Sequence, residues 1–246
     1  MENASESGSR TDGTRDADRG ASQPSCGKLI VVEGTDGVGR STQIALIKEW
    51  LELNGYGVCT TGVTRSPLIG RVIETAKTGH SLNLYTHTLL YLADFADRLE
   101  HVILPALKAG MIVLSDRYIY TALARAIVRG AEKAWIRKIY SFAPKPDLVI
   151  YLKIEVRELV PRVINSTSFS NRYWLKGTGE GMDYWESGMD LKLGDDFYDS
   201  FLSYQKEILR AFDALTREFK FQVVDASSPP AEIFSTIKEY ISPVLD

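Results

Sequence analysis

Short apolar runs alternate with longer segments of helical periodicity along most of the chain. The runs are rich in β-branched residues, which is typical of strands buried on both faces of a parallel sheet. We expect five strands, at residues 29–32, 58–61, 111–114, 148–152 and 221–224. Because parallel strands require crossover connections, the helical segments between them predict an α/β fold, with helices on both faces of a five-stranded parallel sheet.

The helical segments are recognised by a 3.6-residue repeat and by the residues that end them. They cover about residues 42–53, 85–108, 118–142, 155–164, 197–219 and 231–240. Asn54-Gly55 should end the first helix, because both residues tolerate left-handed backbone geometry. Pro105 is expected to bend the second helix or to end it early. One stripe of that second helix is interpreted as core: Leu89, Leu92, Ala93 and Ala96.

Two segments depart from this alternation. Residues 1–27 contain no Val, Ile, Leu, Phe, Tyr or Trp, so burial cannot offset the entropy lost on ordering them. We expect a disordered tail there and a single folded domain over residues 28–246. Residues 165–194 are rich in Gly, Ser and Thr but also contain aromatic residues, and this composition predicts a mobile lid.

Composition narrows the possible classes of function. The chain has 246 residues, of which 44% are hydrophobic and 25% charged, as in ordinary soluble domains. Its net charge of -3 argues against a nucleic-acid polymer or an anionic membrane as partner. Two cysteines suit a reducing compartment, and no apolar run reaches the roughly 20 residues of a membrane-spanning helix. We therefore expect a soluble, cytoplasmic protein.

A glycine-rich turn lies between the first strand and the first helix. It reads Gly34-Thr35-Asp36-Gly37-Val38-Gly39-Arg40-Ser41, followed by Thr42. Glycines at both ends let backbone N–H groups point at an anion, and the helix N-terminus adds partial positive charge. Ser41 supplies the hydroxyl expected on Mg²⁺. The pattern predicts a P-loop that binds the phosphates of a nucleotide, with Arg40 in place of the usual lysine and still able to bridge two phosphate oxygens. The alternative is a glycine turn that binds nothing.

The glycine-rich turn and two further motifs together resemble a known family. The run from Glu33 to Gly37, the run Arg40-Ser41-Thr42-Gln43 and the triplet Asp116-Arg117-Tyr118 resemble the thymidylate kinase family of P-loop nucleoside monophosphate kinases. The similarity extends from about residue 28 to the C-terminus. It implies a P-loop NTPase fold, transfer of the γ-phosphoryl group of ATP to a nucleoside monophosphate, dTMP as the acceptor, a requirement for Mg²⁺, and a homodimer.

The resemblance also implies roles for residues around the phosphates. Asp36 would approach the sugar and phosphate of the acceptor, Arg65 would hold the acceptor phosphate, and Arg117 would contact the phosphates of both nucleotides. Asp116, together with Ser41, would hold Mg²⁺. Because phosphoryl transfer requires mainly positioning and positive charge, the resemblance implies this catalytic set: Asp36, Arg40, Arg117 and Arg172.

Arg172 enters this set through the predicted lid. The run Asp183-Tyr184-Trp185-Glu186 is similar to a family segment that carries an arginine, and here that arginine is lost. Arg172 and Lys176 are the nearby replacements, and we expect Arg172 to take this role.

The residues that would contact the acceptor's base and sugar differ from the family pattern. Phe95 stands where the family reads the thymine edge with an arginine, and Arg98, one turn further on, could substitute for it. Tyr91 keeps the aromatic ring that stacks on the base. Ala122 and Arg125 follow the Asp-Arg-Tyr triplet, where the family has small polar and aromatic residues. These departures leave two alternatives open: an idle nucleotide-binding homologue, or a kinase for another phosphorylated acceptor.

Overall fold

The apolar runs form the strands of one parallel sheet in the computed structural model, which describes residues 27–78, 83–165, 188–195 and 197–245. Its strands, in the spatial order β2-β3-β1-β4-β5, are β1 (Lys28–Glu33), β2 (Val58–Gly62), β3 (Ile112–Asp116), β4 (Leu148–Lys153) and β5 (Gln222–Asp225). The central strand β1 pairs with β3 on one side and with β4 on the other. The predicted α/β fold with five parallel strands is confirmed.

Helices cover both faces of this sheet. They are α1 (Arg40–Leu53), α2 (Gly70–Thr78), α3 (Leu84–Arg98), α4 (Leu104–Lys108), α5 (Ile119–Val128), α6 (Lys133–Ile139), α7 (Val156–Asn165), α8 (Phe197–Phe219) and α9 (Pro230–Leu245). The core on one face contains side chains of α1 and α9, and the core on the other contains side chains of α3, α5 and α8. Among the helices of the described segments, none is long and apolar enough to cross a bilayer.

The predicted tail and most of the predicted lid lie outside the described residues. Only Gly27 of the tail is described, and of the lid only residue 165 and residues 188–194. Both assignments, and the domain boundary at residue 28, therefore stay predictions.

The predicted helix over residues 85–108 does not end early at Pro105. The chain stays helical to Lys108, with one wider π-helical turn at Leu99–Ile103 between α3 and α4. Proline has no N–H to donate to the preceding turn, so a regular α-helical ladder cannot pass through this point. The irregular turn lies directly before the proline and lets the helical path continue.

Two other helix boundaries differ from the expectation. The single helix predicted for residues 118–142 is wrong: α5 ends at Val128, Gly130 has a φ of 87°, and α6 begins at Lys133. A left-handed glycine is a common helix terminator, and here it lies inside a continuous helical pattern. Helix α2 was not predicted, because it is short and only Ile73 among its described side chains is fully buried.

The stripe of α3 interpreted as core lies only partly inside, with Leu92 packed against the core from a half-buried position. Leu89 is 50% exposed, and the other three members of the stripe are only partly buried. The buried face instead carries mostly polar and aromatic groups: His87, Thr88, Tyr91, Asp94, Phe95 and Arg98. Burying polar groups requires that they find partners, so this face of α3 is a place to look for a functional site.

Candidate active site at the carboxyl ends of the strands

Three loops meet where β1, β2 and β3 end. The glycine-rich turn follows β1, residues 63–66 follow β2, and Asp116-Arg117 lies at the end of β3. Asp116 is in register with Val32 of β1 and with Gly62 of β2, so the ends of these strands lie side by side. This edge is where open parallel sheets bind their ligands.

The turn after β1 has a backbone that only glycine adopts easily. Gly34, Gly37 and Gly39 have φ angles of 148°, 78° and 99°. A Cβ at Gly34 would lie 2.9 Å from the carbonyl oxygen of Leu152, and one at Gly37 would lie 2.6 Å from Cγ2 of Val163. Helix α1 starts directly after the turn, and the first N–H groups of a helix lack intrahelical acceptors. The turn therefore combines a tight backbone curve with a helix N-terminus, as an anion-binding loop requires.

Arg40 is buried beneath this turn. Its Nη1 donates hydrogen bonds to the carbonyl oxygens of Gly34 and Thr35, and its Nε donates to Oδ1 of Asp116 over 2.8 Å. Burial alone would lower the pKa of Arg40, but the carboxylates of Asp36 and Asp116 raise it. The guanidinium is therefore a permanent positive charge that links the end of β1 to the end of β3.

Asp36 is surrounded by three guanidinium groups. Its Oδ1 lies 2.5 Å from Nη2 of Arg117 and 3.4 Å from Nη2 of Arg40, and its Oδ2 lies 3.6 Å from Nη2 of Arg125. Burial would raise the pKa of Asp36, but the charges of Arg117, Arg40 and Arg125 outweigh it and hold that pKa well below its usual range. Three cations around one carboxylate leave an excess of positive charge, which attracts phosphate.

Glu33 fixes the loop after β3 from below. It is fully buried at the end of β1, where Oε1 accepts N–H groups of Tyr118 (2.9 Å) and Thr121 (3.3 Å) and Oε2 accepts the Thr121 hydroxyl (2.6 Å). Arg117 directly before Tyr118 has a left-handed φ of 67°, which costs free energy outside glycine. Burial raises the pKa of Glu33 to about 6, although its hydrogen bonds act in the opposite direction. In the sequence, the only hint of this role is an acidic residue that closes an entirely apolar strand.

Asp116 connects the remaining predicted phosphate ligand and the predicted metal site. Its Oδ2 lies 3.5 Å from Nη2 of Arg65, whose side chain is 51% exposed. Ser41 is exposed in the first turn of α1. One hydroxyl and one carboxylate fit Mg²⁺ in a nucleotide site, because that ion takes most of its ligands from phosphate oxygens and water.

The predicted base-contacting residues do not all lie at the site. Tyr91 belongs to the arginine cluster, since its hydroxyl lies 3.4 Å from Nη1 of Arg125. Phe95 does not: it is 2% exposed and packs edge-on against Tyr118 in the core, with ring centroids 5.1 Å apart. Arg98 is equally buried and donates from Nε to Asp94 over 2.9 Å, while its Nη1 has no hydrogen-bond partner among the described residues.

One predicted residue is not described, another packs against the core, and other contributors were missed. Arg172 is outside the described residues, and Ala122 is only partly buried and packs against the core of α3, α5 and α8. A small pocket beside Asp36 is lined by four side chains of α8 that the sequence did not single out: Tyr204, Gln205, Ile208 and Phe212. Nothing local in the sequence marks them, because α8 comes to the site only through the fold.

The fold and the turn define a P-loop α/β protein with an arginine-rich strand edge. The family model for thymidylate kinase matches residues 32–174. A probable thymidylate kinase 2 of Saccharolobus solfataricus is 32% identical over 221 residues, which cover 89% of this chain and 98% of the relative. A probable thymidylate kinase of Pyrococcus horikoshii is 38% identical over 143 residues, 56% of this chain and 70% of the relative. The chain belongs to the thymidylate kinase family.

Replacing Glu33 with Gln should remove a pH-dependent cost to stability. The folded pKa of about 6 lies above the ordinary 4.5, so the contribution of Glu33 is fully present below pH 4.5 and is lost as pH rises through 6. A shift of that size corresponds to about 2 kcal/mol. Gln can still accept the two N–H groups without carrying a charge. Urea unfolding should therefore show the variant gaining about 2 kcal/mol on the wild type between pH 4 and pH 7. A constant difference over this range would contradict the elevated pKa.

Proposed function

We propose that this protein transfers the γ-phosphoryl group of ATP to dTMP and so produces dTDP. The observation that carries the proposal is the gathering of Arg40, Arg65 and Arg117 around two carboxylates beside a P-loop turn. Relatives described as probable thymidylate kinases supply the acceptor. The composition supports placing this reaction in the cytoplasm.

The turn between β1 and α1 is the proposed site of the ATP phosphates. Backbone N–H groups of residues 34–42 would surround the phosphate oxygens, and Arg40 supplies charge from beneath. Ser41 and Asp116 would hold Mg²⁺, which supplies charge neutralisation on phosphate oxygens when bound. A Cβ at position 34 or 37 would collide with neighbouring atoms. Because both residues are glycine, the turn adopts this shape without displacing its neighbours.

Asp36 is proposed to align the catalytic arginines before any substrate binds. Its two carboxylate oxygens hold Arg117 and Arg125 in place, and its lowered pKa keeps it ionised. Charges fixed in advance need not reorganise as negative charge shifts during phosphoryl transfer, so they stabilise the transition state at little cost. Arg172 of the predicted lid is proposed to add a further cation.

The acceptor is proposed to lie between the β2 loop and α3. Arg65, half exposed at the strand edge, would hold the acceptor phosphate. Tyr91 is buried against His87, with ring centroids 4.3 Å apart, so it would stack on the base only if the acceptor takes the place of that contact. Arg98 is buried, and its Nη1 has no hydrogen-bond partner among the described residues, so it would donate to the base edge only if the acceptor opens this face of α3. A guanidinium only donates hydrogen bonds, so it favours a base with a carbonyl oxygen there, as thymine has. Phe95 is left as a core residue.

A panel of acceptors tests the assignment directly. Purified protein is incubated with ATP, Mg²⁺ and individual nucleoside monophosphates, and diphosphate products are separated and quantified. We expect dTMP to give the highest kcat/KM. Binding of ATP without diphosphate from any acceptor would replace the proposal with the idle homologue, and a higher kcat/KM for another acceptor would change the substrate.

Arg40→Ala should lower kcat by about 100-fold, because it removes a fixed positive charge beneath the phosphate turn together with the hydrogen bonds that hold the Gly34 and Thr35 carbonyls. Arg40→Lys keeps the positive charge but not the several guanidinium hydrogen bonds, so its kcat should exceed that of the alanine variant. Arg137→Ala is the control, because it removes an arginine whose ion pair with Glu218 lies on α6 and α8. Steady-state kinetics measure all three variants, with circular dichroism to check folding. A kcat for Arg40→Ala equal to that of the control would remove Arg40 from the catalytic set.

The apolar surface formed by α2, the turn before it and the exposed side of α3 is the proposed surface for a homodimer. Leu68, Val72 and Leu89 are 69%, 48% and 50% exposed, and α2 packs against α3. Light scattering coupled to size exclusion should show a dimer for the wild type and a shift to monomer for Leu89→Asp. Leu53→Asp, at an 80% exposed position on α1, should leave the dimer intact. A monomeric wild type would exclude this surface as an interface.

A further inference from the structure

One carboxylate on the buried face of α3 contacts both ends of the proposed acceptor site. Asp94 has no exposed surface. Its Oδ2 accepts the backbone N–H of Thr64 over 3.1 Å and Nε of Arg98 over 2.9 Å. Its Oδ1 accepts the backbone N–H of Ser66 over 3.0 Å. The two backbone donors flank Arg65, so Asp94 holds the loop on both sides of the proposed phosphate ligand.

The loop that Asp94 holds has a backbone it would not adopt alone. Thr64 has a φ of 62°, an unfavourable value for a β-branched residue. Conformations of this kind persist only where the surroundings fix them. The hydrogen bond from the Thr64 N–H to Asp94 is such a restraint. A Cβ on Gly70 would lie 2.7 Å from the Thr64 carbonyl oxygen, so the start of α2 is also fitted to this loop.

A carboxylate suits this position better than its neutral isostere. Asp94 accepts three N–H groups, one of them charged, and offers no donor. An asparagine has one acceptor oxygen, and its amide nitrogen would face an N–H donor. Arg98 compensates the buried negative charge, which would otherwise be costly.

We propose that Asp94 is a positioning residue that fixes Arg65 for the acceptor phosphate and ties that loop to Arg98 at the base end. The inference rests on the proposed function. If Asp94 acts through Arg65, its loss weakens the part of acceptor binding that depends on the phosphate. A role confined to Arg98 or to general stability would weaken binding of the nucleotide and of its nucleoside equally.

The test compares dTMP with thymidine, which lacks the phosphate. Calorimetry gives both dissociation constants. The Kd for thymidine divided by the Kd for dTMP is the phosphate ratio, which measures how much the phosphate contributes to binding. In Asp94→Asn that ratio should fall about tenfold, since hydrogen bonds to charged groups typically contribute at least that much. The KM for dTMP should rise while the KM for ATP stays unchanged. A ratio equal to that of the wild type would overturn the proposal.

Asp97→Asn is the matched control on the same helix. Asp97 contacts the same loop by accepting the Ser66 hydroxyl over 2.6 Å, and the carbonyl of asparagine can accept that bond too. Its ratio should stay at the wild-type value. In an Arg65→Ala background, Asp94→Asn should cause no further fall in the ratio, because the group it positions is gone. Additive losses would show that Asp94 does not act through Arg65.

If Asp94→Asn alone does not fold, the proposal is tested with a variant in which the buried charges of Asp94 and Arg98 are both removed. The double variant Asp94→Asn/Arg98→Gln removes both buried charges, and its ratio is compared with that of Arg98→Gln. The same tenfold fall is expected between these two proteins, and equal ratios would overturn the proposal.

Hydrogen exchange separates this inference from the proposed function. The amides of Thr64 and Ser66 should exchange faster in Asp94→Asn than in Asp97→Asn, whatever the acceptor is. Unchanged exchange would refute the restraint of the loop by Asp94, even if the enzyme is active. If the wild type phosphorylates no acceptor but the variant exchanges faster, the kinase proposal is refuted and the restraint by Asp94 is supported.

Discussion

Pairing between guanidinium groups and carboxylates from different strand ends is the interaction on which this site depends. Arg40, Arg117 and Arg125 would repel one another without Asp36, and Arg40 and Arg65 share Asp116 in the same way. Because all of these pairs except Arg40–Asp36 join segments that follow different strands, the cluster forms only when the sheet brings its strand ends together. The charges are then held in place by the fold, so binding a phosphate does not have to gather them.

Backbone strain in the site is concentrated in two loops, and a buried acid restrains each. Arg117 and Thr64 both have left-handed φ angles without being glycine. Glu33 accepts the N–H group directly after Arg117, and Asp94 accepts that of Thr64 itself. Strain of this kind is maintained only where surrounding hydrogen bonds specify the conformation. The strained residues are Arg117 itself and Thr64, which directly precedes Arg65. The strain therefore lies at the two arginines proposed to bind phosphate, and we infer that it helps to orient them.

The sequence predicted the parts of this protein that depend on local pattern. The strands and the glycine-rich turn were recognisable because few other structures require runs of β-branched residues or glycines at this spacing. The orientation of α3 was not recognisable, because periodicity shows that one face of a helix is apolar but does not show whether that face packs against the core. Periodicity therefore places Leu89 in the core. It gives no reason to single out Asp94, which shares the other face of the helix with Arg98. Both errors have the same origin, since the polar face of this helix is the buried one.

Two acids at the same strand edge have pKa values shifted in opposite directions, and this difference separates their roles. Asp36 lies among three arginines, whose charges outweigh its burial and keep it ionised. Glu33 has no exposed surface, and its burial outweighs its hydrogen bonds and the charges of Arg117 and Arg40, so its pKa rises to about 6. Asp36 is thus a constant charge that orders the cations. Glu33 is the group whose protonation changes near neutrality, and it does so directly beneath the loop that carries Arg117. Of these two acids, mild acidification therefore changes only Glu33, because Asp36 stays ionised.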